Sequence, residues 1–165
     1  MYKEFSVAVH GGFAFLLVNG FGWLAWGILA HWWPPRRMNL LLLIQGAWSF
    51  PAALALQNAI ASAHTGPEPP LELLLLLALT QTVAIPASLI AFFRAPRFMP
   101  AVFAAVLGGH FLPYSWLFGT PVYVVLGALV SLLPFLVMFA LQDRGYPYSF
   151  AVFGVCLLVS SWLVF

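Results

Sequence analysis

This sequence carries very little charge. Asp, Glu, Lys and Arg make up 6% of its 165 residues, against roughly one quarter in soluble domains, which excludes a water-soluble fold. Acids are the scarcest: there are four, Glu4, Glu68, Glu72 and Asp143, and none lies in the middle of an apolar stretch. Proton-coupled transporters commonly place carboxylates at mid-membrane, so ion coupling here would have to use a histidine or backbone carbonyls. The six cations are too few and too dispersed for the basic stripe that nucleic acid requires. A single cysteine, Cys156, excludes a disulfide framework and a cysteine-rich metal site within the chain.

Other absences bear on chemistry. His10, His31, His64 and His110 are scattered, with no HExxH pairing and no carboxylate support, so no metal site is expected. Haem held by two histidines needs them at matching depth on facing helices, whereas His10 and His31 stand ~31 Å apart along one helix. No cofactor is expected. There is no G-x-S-x-G, and Ser115 lies on a different helix face from His110, so no nucleophile pair forms and no enzymatic activity is expected.

Apolar length is what the chain has in abundance. Hydrophobic residues make up 64% of it, and a hydrocarbon core about 30 Å thick needs ~20 residues of apolar helix. Six windows meet that length, at residues 9–33, 40–62, 71–93, 99–118, 121–141 and 147–165. The expected fold is therefore all-α, a single transmembrane domain over residues 1–165 built as a bundle of six helices. The breaks between windows are rich in Pro, Gly or charge, as helix ends are. The fourth, Gly119-Thr120 before Pro121, carries no charge, and a five-helix alternative that runs through it as a kink stays open. The first stretch ends in Trp32, Trp33 and Pro34 where a signal peptide would have small residues, so it is read as a retained helix.

Arginines orient the windows. Arg36 with Arg37, Arg94 with Arg97, and Arg144 fall in alternate breaks, and positive residues favour the cytoplasm, which puts both termini outside it. Trp32, Trp33 and Phe98 then flank the cytoplasmic ends, and Trp116, Tyr123 and Trp162 the opposite interface. Because lipid solvates leucine as well as protein does, helices associate through small residues and interhelical hydrogen bonds. Three stripes are expected to make contacts: Ala55, Ala59 and Ala63; Thr80, Ala84 and Ser88; Ala101, Ala105 and Gly109. Pro51, Pro86, Pro113 and Pro134 fall inside windows and are expected to kink them.

Polar side chains deep in hydrocarbon need partners, and an ionisable one is a functional candidate. His110 is the best of them. Tyr114 follows one turn later on the same helix face, Pro113 loosens the local ladder, and Gly108 and Gly109 allow a backbone or a ligand close by. An imidazole also changes charge near neutral pH, so it can accept a proton as well as hold a ligand. Asn19, Gln45 with Ser49, and Gln81 with Ser88 are candidate partners. Interhelical hydrogen bonding explains the same residues without any ligand, and both readings stand at this point.

The segment Val106-Leu107-Gly108-Gly109-His110-Phe111-Leu112-Pro113-Tyr114-Ser115-Trp116-Leu117 resembles a motif in a family of small, uncharacterised bacterial membrane proteins. Arg94-Ala95-Pro96-Arg97 looks like the short basic, proline-containing loop that precedes it there. The resemblance implies a multi-pass protein of the bacterial inner membrane and implies no reaction. Three functions are in contention. The first is binding or transport of a small solute, ion or lipid-like ligand beside the fourth window, in a chain that forms homo-oligomers. The second is an accessory subunit of a larger membrane complex, and the third an intramembrane enzyme.

Overall fold

A computed structural model describes residues 12–60 and 84–165. Those residues form α1 (Phe13–Leu29), α2 (Pro35–Ile60), α3 (Ala84–Arg94), α4 (Met99–Phe118), α5 (Val122–Leu141), a 3₁₀ turn (Gln142–Arg144) and α6 (Gly145–Val164). Among the described residues there is no strand. The helices match five of the expected windows closely, while most of the third, residues 71–83, lies outside the described residues.

Breaker chemistry ends each helix. Pro34 and Pro35 separate α1 from α2, and Pro35 sits at the first helical position, where its missing N–H costs nothing. Gly119 caps α4 in the left-handed conformation, at φ 66°. The Thr120 amide then donates to the Ser115 carbonyl, and the Ser115 hydroxyl donates to the Thr120 carbonyl at 2.7 Å. This break is thus a chain reversal between α4 and α5 and not a kink within one helix. Gln142, at φ 48° and ψ −122°, reverses the chain again, so that α5 and α6 pack side by side.

Two helical stretches, Met99–Phe118 and the 43-residue Val122–Val164 that Gln142 divides, are long and apolar enough to cross a membrane. α2 adds a third if its two halves, bent by 42° between Gly46 and Trp48, count as one. Pro51 accounts for the bend: it has no N–H for the carbonyl four residues back, at position 47, and its ring pushes against that carbonyl. Pro113 and Pro134 also lie inside helices, α4 and α5. α1 is apolar but, at 17 residues, shorter.

The helices form a row that folds on itself. α1 packs against α2 and α6, α6 against α5, α5 against α4, and α4 against α3, with α4 also touching α6 and α2. Glycines set the two closest crossings. A Cβ on Gly108 of α4 would lie 2.6 Å from the Gly127 carbonyl oxygen of α5, and the reverse holds for Gly127. A Cβ on Gly154 of α6 would lie 2.8 Å from the Gly20 carbonyl oxygen of α1. Such backbone contact yields dispersion that lipid cannot match. Trp23, 1% exposed, joins α1 to α6 and α4, with ring centroids 4.0 Å from Phe153, 5.5 Å from Phe150 and 6.1 Å from Phe103.

The expected contact stripes need correction. Ala55 and Ala59 are exposed, and Ala53 is the buried alanine of that helix. On α4 the buried small residues are Ala101, Ala104 and Gly108, while Gly109 has nothing within 4 Å of its Cβ position. Each residue turns a helix by about 100°, so neighbouring glycines point to different surroundings. Ser88 is buried as expected; Ala63, Thr80 and the side chain of Ala84 lie outside the described part of the structure.

Candidate functional site

The two ends of the bundle differ in chemistry. At one, Gly12 sits against Phe118 and Tyr123, and Phe13 lies 4.6 Å from Phe165 between ring centroids. At the other, the three arginine-bearing breaks meet. The Asn39 amide donates to the Pro96 carbonyl at 2.7 Å, the Tyr146 hydroxyl lies 2.9 Å from Asn39 Oδ1 and 3.2 Å from the Pro35 carbonyl, and Arg97 forms an ion pair with Asp143. The alternation read from the arginines therefore corresponds to one physical end of the fold.

His110 lies between those ends. It is 6% exposed on α4, with the Tyr114 hydroxyl 3.3 Å from its Nε2 and the two rings edge to face at 5.2 Å. Tyr114 stacks on Phe118 at 5.8 Å and tilts against Tyr123 at 5.9 Å, so α5 steadies the phenol that faces the imidazole. Gly108 and Phe111 face α5 directly, Gly108 through its backbone and Phe111 through Tyr123. His110 is rotated away from them. About two turns before it on the same face stands Phe103, which reaches Trp23 of α1 and lies 3.5 Å from the Cβ position of Gly46 on α2. His110 consequently shares the face of α4 that looks toward α1 and α2.

On those two helices the expected amides come together. Gln45, 1% exposed, has its Nε2 at 3.5 Å from both the backbone oxygen and the side-chain oxygen of Asn19. Asn19 in turn donates to the Phe15 carbonyl at 3.0 Å. Gly22 gives the Gln45 amide room, since any Cβ there would collide with it. Gln45 Oε1 and the Trp26 indole nitrogen are buried with no hydrogen-bond partner. An unpaired buried acceptor and donor cost about 1–3 kcal/mol each. Asn19 lies one turn from Trp23, on the side of His110 and away from the arginines.

Among the expected site residues, Asn19 with Gln45 form one pair between α1 and α2, and His110 with Tyr114 form another on α4. Gly108 is used for helix packing, Gly109 faces outward, and Gln81 lies outside the described residues. Sequence reasoning passed over Trp26, Asn39 and Tyr146. Asn39 had a signal, as a polar residue two positions after Arg37 and immediately before an apolar window. Trp26 had none, because most interfacial and buried tryptophans look alike in a sequence.

The arginine end also holds a cleft of about 430 Å³ lined by His31, Trp33, Pro35, Arg97, Asp143, Arg144, Tyr146 and Tyr148, among others. Residues 1–165 match the model of a family described as a family of unknown function, DUF7010, which fits the resemblance to an uncharacterised family. No curated protein and no solved structure matches the chain.

Proposed function

Because the chain belongs to that family, whose function is unknown, its own residues carry the reading, and we propose that it is a six-span membrane protein that binds a small ligand between α1, α2 and α4. In this reading the arginine end is cytoplasmic and both termini lie on the other side. The observation that carries the proposal is the buried Asn19–Gln45 pair, whose amide oxygen Gln45 Oε1 has no hydrogen-bond partner. A bound molecule that donates to Gln45 Oε1 and accepts from the Trp26 indole removes both penalties at once.

The donor set narrows the ligand. Asn19, Gln45, Trp26, His110 and Tyr114 offer hydrogen bonds without a carboxylate, so a bare cation finds no countercharge among them. An uncharged solute or polar lipid-like molecule with both donor and acceptor groups fits best. The protein holds or moves it without covalent chemistry.

The test is to purify the protein from its native membrane and identify small molecules that co-purify, comparing wild type with Gln45→Leu and His110→Ala. A hydrogen-bonding molecule retained by the wild type and lost from both variants is the expected result. Equal retention by all three proteins, with the variants folded, defeats the proposal.

A further inference from the structure

We propose that the cleft at the arginine end binds the phosphate group of an anionic phospholipid. Charge is the first ground. Arg36, Arg37, Arg94, Arg97 and Arg144 all belong to the breaks that meet there, and among the described residues Asp143 is the one acid. Asp143 is taken by Arg97 in the single ion pair among those residues. Arg144 lines the cleft beside that pair, so the cleft has a guanidinium available to an anion. Guanidinium groups bind phosphate through two parallel, charge-assisted hydrogen bonds.

Shape is the second ground. His31, in the turn after α1, and Tyr148 of α6 stand edge to face at 5.6 Å in the lining, and Tyr146 is held from below by Asn39 and the Pro35 carbonyl. The imidazole and the Tyr148 hydroxyl supply further donors to a phosphate oxygen. Asn39, 0% exposed, and Tyr146, 4% exposed, form a rigid floor because each satisfies the other's hydrogen-bonding group.

The surface beyond the cleft favours a lipid over a free anion. From Tyr148 an exposed stripe continues through Val155 and Trp162, successive two-turn steps along α6. From His31 a matching one continues through Ile28 and Phe21 along α1. α1 and α6 pack side by side, so these stripes give acyl chains an apolar path that begins at the basic cleft. Trp32 and Trp33 are exposed at the same level, as aromatic side chains are at headgroup depth. Basic clefts between helices on the cytoplasmic side are a recognised form of headgroup site.

The experiment uses the full chain in detergent, incubated with phosphatidylglycerol, with phosphatidylcholine, or with inorganic phosphate, and read by native mass spectrometry. Variants are Arg144→Gln in the cleft and Arg36→Gln, whose charge lies at the same end but does not line it. The wild type is expected to retain phosphatidylglycerol over phosphatidylcholine. Arg144→Gln is expected to weaken that retention on the order of tenfold, the effect of losing one charge-assisted pair, and Arg36→Gln to leave it unchanged. Equal losses in both variants mean diffuse attraction to the basic end and overturn the site. Displacement of the lipid by millimolar inorganic phosphate overturns the lipid assignment. Both readouts are independent of the ligand proposed between α1, α2 and α4.

Discussion

Replacing Gly108 by alanine, next to the same replacement at Gly109, tests the packing on which the fold rests. At Gly108 the new methyl group would stand 2.6 Å from the Gly127 carbonyl oxygen and 3.1 Å from Val130, and would collide with the Ser131 hydroxyl. The two backbones must separate by about 0.8 Å to reach ordinary contact, which forfeits a quarter to a half of the dispersion across the crossing. Overpacking of this kind costs about 1–3 kcal/mol. Ser131, whose hydroxyl donates to the Ala105 carbonyl at 3.3 Å, must rotate away, adding about 0.6–1.7 kcal/mol for an interhelical bond in a membrane. Alanine's better helix propensity returns about 0.5–1 kcal/mol. A net loss of about 0.6–4 kcal/mol, centred near 2, follows for Gly108→Ala. At Gly109 nothing lies within 4 Å, so only the propensity gain remains. Reversible unfolding in mixed micelles, followed by circular dichroism, measures both variants. Stabilities that agree within about 0.5 kcal/mol would refute the claim that Gly108 sets the α4–α5 crossing.

Four further outcomes are expected. Gly154→Val on α6 should open the α1–α6 crossing and destabilise by more than Gly108→Ala, because a branched side chain meets the Gly20 carbonyl at 2.8 Å and Leu24 at 2.9 Å; the same unfolding assay reads it. Tyr146→Phe should cost about 1 kcal/mol by removing the hydroxyl that reaches Asn39, whereas Asn39→Ala should cost about 1–3 kcal/mol because it also abandons the Pro96 carbonyl. Gln45→Leu separates structure from function: in ligand-free protein it removes an unpaired buried oxygen together with the amide that reaches Asn19 Oδ1 at 3.5 Å, so stability should fall by no more than about 1 kcal/mol, while ligand retention is abolished. Loss of both together would make Gln45 a purely structural residue. In a Cys156→Ala background, single cysteines at Arg37 and at Thr120 should label with an impermeant maleimide from opposite faces of sealed vesicles; labelling of both from one face contradicts the proposed orientation.

Much of the fold is legible in the chain because membrane helices are declared locally. Each window from Met99 to Phe118, or from Val122 to Leu141, is apolar all round and ends at Gly, Pro or charge, so its limits follow from hydropathy and breaker chemistry alone. The gathering of the arginines was legible for the same reason, since alternation along a chain of antiparallel helices places every second break at one end. Which face each helix turns inward was not. The stripe through Ala55 and Ala59 looked as suitable as any, yet those alanines face outward, and the contact fell to Gly108 and not to its neighbour Gly109. In a helix apolar on every side, hydrophobic periodicity carries no signal about rotation.

The candidate site divides along the same line. His110 and Tyr114 were paired by spacing within one helix, and the structure places them 3.3 Å apart. The sequence alone determined that this chain is helical and apolar enough for a membrane, where its helices end, and that the few polar side chains within them require partners. Tertiary structure alone decided that Gln45 meets Asn19, that the indole nitrogen of Trp26 is buried without a bond, and that Arg97, Arg144, His31 and Tyr148 surround one cleft. The reason is physical. Helix formation depends on hydrogen bonds four residues apart, which composition dictates, whereas the contacts between helices depend on close backbone approach at individual glycines far apart in the chain.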